Sequence, residues 1–330
     1  MIFHKSINKM KTKLITTIMA MLSALALTAA PITIDTVLVE ANGGNTADST
    51  VRWDGTSGYG AVDYDYRIGT TAVTNAQYAA FLNAVANESD AYGLYNTGMS
   101  TATGANSGGI LRTYDDATSS YIYTTVINGE DRGGWAVNYV SIYDAMRFCN
   151  WLTSGGTETG MYALNGVATP DITTIVRDAT AWANGGVAIT TEDEWYKAAY
   201  YNPLTGTYYS YTNKQNDDSG LAGMANIMAS GIGHVTEATF GTEGPYGTYG
   251  QGGNVWEWTD GIVDSYYSAM SGGSLLSLAG ELASASGYYN DPAGDRRGIG
   301  FRVVVIPEPS TYAMIFGVLA LGFAIYRRRK

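Results

Sequence analysis

Three times along the chain a serine or threonine stands three residues ahead of an amide or carboxylate, each time at the head of an apolar-periodic run. Thr74-x-x-Gln77 opens TNAQYAAFLNAVA, Ser141-x-x-Asp144 opens SIYDAMRFCNWL, and Thr191-x-x-Glu194 opens TEDEWYKAAYY. In such a capping box the hydroxyl accepts from the backbone N–H three residues on, and that residue's side chain reaches back to the N–H of the cap. The spacing predicts a first helix burying Tyr78, Phe81, Leu82 and Val85, a second burying Ile142, Ala145, Cys149 and Leu152, and a third stopped by Pro203. In 330 residues, so few helix starts leave most of the length to strands and loops.

The strand signals are short and scattered: VDYDYRI (62–68), YIYTTV (121–126) and a closing FRVVVI (301–306), with an entry strand and polar turn in 31–50. The 41 glycines and 26 tyrosines suit glycine-bearing turns and loops that carry aromatic side chains. No Pro- or Ser-rich linker and no fixed-period repeat interrupts the stretch. The pattern predicts one irregular α+β domain over residues 31–306.

The formal charge is −11, and eight of the nineteen Lys and Arg residues lie in the two end segments, so the part between is more acidic still. Such a surface repels phosphate backbones and argues against a nucleic-acid partner. Cys149 is the only cysteine, which excludes a disulfide within the chain, and its place on an apolar helix stripe reads as inert packing. His4 lies in the leader, leaving His234 as the one other histidine. There is no zinc-type His set, no GxxxxGK[ST] loop and no GxSxG elbow.

Both ends carry export signals. Residues 1–30 join a Lys-bearing start (Lys5, Lys9, Lys11, Lys13) to an apolar run and small residues at Ala24-Leu25-Ala26 or Thr28-Ala29-Ala30, the three parts of a signal peptide. Residues 307–330 hold an uncharged run between Ser310 and Arg327, short for a spanning helix, then Arg327, Arg328, Arg329 and Lys330. The basic tip would stay in the cytoplasm, which predicts a C-terminal transmembrane helix and a domain lying outside. Pro307-Glu308-Pro309 immediately before that run resembles the PEP-CTERM sorting signal. The resemblance implies an exosortase-type processing enzyme as partner: the protein is held at the inner membrane before processing, then reaches the cell surface or extracellular matrix.

Between the ends, seven blocks in order resemble the formylglycine-generating-enzyme, or sulfatase-modifying-factor, domain. They are VTNAQYAAFLNAV (73–85), VNYVSIYDAMRFCNWL (137–152), TTEDEWYKAAYY (190–201), ANI (225–227), YGTYGQGGNVWEWTDG (246–261), GGS (272–274) and GFRVV (300–304). The resemblance implies an irregular fold related to C-type lectins. It also implies a copper ion held by two cysteines shortly after GGS, but those positions fall on Ser277 and Leu282 here, so copper is not expected and no catalytic residue is assigned. For calcium it implies two sets, Asn226 and the Ile227 carbonyl in the first, and the Gly253 and Val255 carbonyls with the Glu257 carboxylate in the second, where Gly250 supplies no side-chain ligand although the family has one. Otherwise Asn254 and Glu257 pin the loop, and Trp256 and Trp258 fill the core. The expected function is a non-catalytic binding module for an exopolysaccharide or surface protein, through loops such as 88–120 and 204–224. The alternative is an oxidase or another enzyme of the same fold.

Overall fold

The computed structural model describes residues 32–306, apart from Asn42 and Ser265. The leader and the Pro307-Glu308-Pro309 tail with its expected transmembrane helix lie outside the described residues. Among the described residues, no helix is long and apolar enough to cross a membrane.

From the amino end come β1 (Thr36–Val39), β2 (Tyr66–Gly69), helix α1 (Asn75–Val85), β3 (Leu111–Asp115), β4 (Ser120–Thr124), β5 (Val126–Ile127) and β6 (Glu130–Asp131). Helix α2 (Ile142–Ser154), the short α3 (Ala179–Ala183), β7 (Val187–Ile189), α4 (Glu192–Tyr200), β8 (Tyr201–Asn202), β9 (Thr207–Tyr208) and the one-turn α5 (Leu221–Met224) follow. The chain closes with β10 (Trp256–Asp264), β11 (Tyr267–Ser271), β12 (Tyr288–Asn290), β13 (Ile299–Phe301) and β14 (Val303–Val305).

All three capping boxes form. Thr74, Ser141 and Thr191 each accept from the backbone three residues on, and Gln77, Asp144 and Glu194 each return the bond. Two expectations change in detail. On α1, Val85 is only half-buried. Helix α2 is buried on every face from Ile142 to Leu152, not along one stripe. Its polar members are satisfied inside: Arg147 reaches Glu158 (2.9 Å) and the carbonyls of Val167 and Ala168, and Asn150 donates to the Thr157 and Tyr162 carbonyls. Around α1 and α2, Tyr78, Phe81, Phe148, Trp151 and Phe301 pack edge-on, tilted or stacked at 5.3–6.5 Å between ring centres. Cys149 is fully buried beside them, and burial pushes its thiol well up.

Two four-stranded sheets carry the architecture. One has the order β1-β2-β14-β7, antiparallel throughout, and the other the order β12-β11-β10-β13, in which β10 and β13 run parallel. The closing segment, expected as one strand, is divided between them. Phe301 pairs with Trp258 in the second sheet, Val303 pairs with Ile189 in the first, and the single residue Arg302 makes the crossing. The segments expected as loops hold some structure: β3 lies within 88–120, and β9 and α5 within 204–224.

Candidate functional site

The most specific sequence block, Gly253–Trp258, enters β10 through two consecutive left-handed residues, Gly253 (φ +85°) and Asn254 (φ +64°). A side chain at Gly253 would meet the Asn226 carbonyl at 2.6 Å, so glycine is required there. Asparagine tolerates the same region when its amide bonds locally. Asn254 Oδ1 accepts from Thr236 N and from Asn226 Nδ2 (both 3.0 Å), and Asn254 N donates to the Asn226 carbonyl at 2.7 Å. Asn226 Nδ2 also donates to the His234 carbonyl at 2.8 Å. These bonds tie the ANI block to the GNVWEW block.

Three residues after Asn254, Glu257 is fully buried and paired. Arg302 donates to both its oxygens, Nη2 to Oε1 at 2.8 Å and Nε to Oε2 at 2.9 Å, and Trp195 Nε1 donates to Oε2 at 2.7 Å. Arg302 spends its remaining donors on the carbonyls of Gly69 in β2 and Tyr249, both at 2.6 Å. One ion pair thus bolts the two sheets together.

Of the expected calcium ligands, Asn226 Oδ1 accepts from the Ser230 hydroxyl at 3.4 Å, and the Ile227 carbonyl accepts from both the backbone and the hydroxyl of Ser230. The one carboxylate of the set is neutralised by Arg302. This donor arrangement does not fit a hard, highly coordinated cation, and among the described residues no group of three His, Cys, Asp or Glu is placed to hold a metal. Loop pinning by Asn254 and Glu257 is what the geometry displays. Of the two tryptophans expected to fill the core, Trp258 does, donating to the Val140 carbonyl, whereas Trp256 is partly exposed.

Ser277 and Leu282 are brought together. A Cβ placed on Gly273 would lie 2.7 Å from Leu282 Cδ1 and 3.4 Å from Ser277 Cβ, so both side chains border one point. Ser277 Oγ accepts from Ser274 N at 3.0 Å, and Leu282 packs with Leu221, Ala225 and Ile227. A hydroxyl and an alkyl group supply no thiolate for Cu(I). The residues at these positions do not fit copper, and the one thiol of the chain is deep in α2.

A further polar assembly lies under α4. Arg177 donates to Glu194 at 2.6 and 2.9 Å, and Tyr64 donates to it at 2.7 Å. Desolvation would raise the Glu194 carboxyl, but the Arg177 guanidinium, the Thr191 N–H and the Tyr64 hydroxyl together outweigh it and hold the group below its ordinary range. Nearby Asp260 lacks such a tight pair. Desolvation pushes it up to about 7, with Glu194 and Glu192 adding to the rise against the pull of Arg177.

The surface of the second sheet carries what the sequence reading missed. Trp256, Tyr288, Tyr289 and Trp53 form a row of rings, each 5.2–5.8 Å from the next and inclined by 17–27°. Tyr267 meets Tyr289 edge-on at 4.9 Å. Trp53, Tyr267, Tyr288 and Tyr289 are each 39–54% exposed. Tyr267 also lines a cleft of about 750 Å³, with Asp171, Asn290, Asp291 and Arg296 on its walls. These residues come from five separated stretches of chain, and no local pattern joins them.

Comparison with known proteins agrees with this geometry. No curated protein matches the chain significantly. Among solved structures it is similar to CarF (22% identity, TM-score 0.57, covering 84% of this chain and 99% of that one). It is also similar to variable protein 1 of Treponema denticola (19%, 0.56, 84% and 96%) and to PvdO of Pseudomonas aeruginosa (14%, 0.50, 82% and 94%). At these identities the likeness is one of fold. The family model of the sulfatase-modifying factor enzyme 1-like domain matches residues 35–306, and the chain belongs to that family.

Proposed function

We propose that this chain is an exported, exosortase-sorted surface or matrix protein that uses its sulfatase-modifying-factor scaffold as a non-catalytic binding module. One observation carries the reading: Ser277 and Leu282, aligned with the family's paired copper thiols, border a single point and bring no sulfur to it. Redox turnover by the copper route has no ligand set there. The exposed aromatic face supplies what a binder needs, a large apolar surface that the fold itself leaves uncovered. An exopolysaccharide or a surface protein is the partner in view. The leader, the Pro307-Glu308-Pro309 motif and the basic tip support export and processing.

The test is direct. The purified protein is incubated with copper and with a cysteine-containing peptide in air, and both metal content and peptide aldehyde are measured. The expected result is no stoichiometric copper and no aldehyde, and turnover would overturn the reading. Sorting is tested by intact mass: a mature chain still ending at Lys330 in cells with the processing machinery would sink it.

A further inference from the structure

We infer that the aromatic row on the second sheet, together with the adjoining cleft, binds a neutral pyranose polymer. The inference deepens the binding-module reading and rests on it.

A pyranose ring is amphipathic in a particular way. Its faces present C–H groups, and its rim presents hydroxyls. An aromatic face is electron-rich and attracts the polarised C–H groups, while its area excludes water from them. Trp256, Tyr288, Tyr289 and Trp53 stack in sequence with small mutual tilts beside β12, the outermost strand, and Trp53, Tyr288 and Tyr289 hold much of their ring surface in solvent. A row suits a linear polymer better than a single sugar.

At the cleft the chemistry turns polar. Asn290 Nδ2 is buried and has no hydrogen-bond partner. Arg296 is exposed, and no hydrogen bond or ion pair of its guanidinium occurs among the described residues. Asp171 and Asp291 add acceptors. Flat rings followed by polar donors and acceptors match a ligand that alternates C–H faces with hydroxyls. The cleft volume of about 750 Å³ is in the range of small-ligand sites. The acidic character of the chain argues for a neutral polymer over a uronate.

The full chain, purified in a sugar-free detergent, is titrated with cellohexaose, maltohexaose and an alginate hexamer while tryptophan fluorescence and heat are followed. Trp53→Ala, Tyr289→Ala and Tyr289→Phe are compared, with Tyr114→Ala as control, since Tyr114 is exposed on the β3–β4 hairpin. The expected result is binding of at least one neutral hexamer. Both alanine variants should weaken it at least about tenfold, with Tyr289→Phe and Tyr114→Ala close to the parent. Superposable melting curves confirm that the variants fold. Three results overturn the inference: no neutral hexamer bound, binding indifferent to both alanine variants, or preference for alginate. All three leave the binding-module reading standing, since a surface protein would still be a partner, and only the peptide oxidation assay overturns that reading itself.

Discussion

Glu257 on β10 and Tyr288 on β12 belong to the same sheet, and each sits in the medium that its chemistry resists. One is a charge in the interior and the other an aromatic ring held half in water. The difference lies in what surrounds them. Both oxygens of Glu257 are used by Arg302 and Trp195, so the fold accounts for it completely. Tyr288 stacks on Trp256 and Tyr289 with more than half its surface still in solvent, and no hydrogen bond of the fold accounts for that exposure. A misplaced group that is satisfied internally belongs to stability, and one that is not belongs to a partner.

Three tests bear on that contrast. Arg302→Ala strands a buried carboxylate, and an unfolding midpoint in urea should report a loss of about 3–5 kcal/mol. The double variant Glu257→Leu/Arg302→Met should recover much of it, and a double variant as damaged as the single one would show that the crossing, not the charge, is what matters. The second concerns pH. Asp260 titrates near 7 in the folded protein, against about 3.8 ordinarily, so the native state holds that proton more tightly than the unfolded one. Its contribution is full below about pH 4 and is lost as pH rises toward 7. Melting curves should therefore fall between pH 5 and 8. Asp260→Asn should flatten that fall by on the order of 2 kcal/mol, and an unchanged slope would assign it to other groups, Asp144 first, which desolvation also pushes up to about 7. Glu194 works in the opposite sense, stabilising above its ordinary range and losing that contribution only in acid. The smallest effect is Tyr288→Ala, about 0.5 kcal/mol in the same urea assay. A loss comparable to that of Arg302→Ala would mean the row is structural after all.

What could be read from the sequence follows the range of the interaction. The capping boxes at Thr74, Ser141 and Thr191 were legible because both partners lie within one turn of helix. The family resemblance marked the ANI and GNVWEW blocks separately, but not that Asn226 and Asn254 join them by amide hydrogen bonds. The division of FRVVVI was hidden because β13 answers to β10 and β14 to β2 and β7, pairings fixed far away in sequence. Trp256 and Trp258 stand two apart in β10, a spacing that puts both on one face of the sheet, so alternation alone does not separate the partly exposed ring from the buried one. The aromatic row had no local signature at all.

The crossing at Arg302 also sets an order of events. Strand β14 is an inner member of the sheet that contains β1 and β2, yet it is made from residues 303–305, while its neighbour β2 is made from 66–69. During synthesis the early strands must wait for nearly the whole domain to emerge before their sheet can close. A ribosome stalled near Phe301 would present a nascent chain whose first sheet lacks its middle, a natural substrate for chaperones until the last few residues arrive.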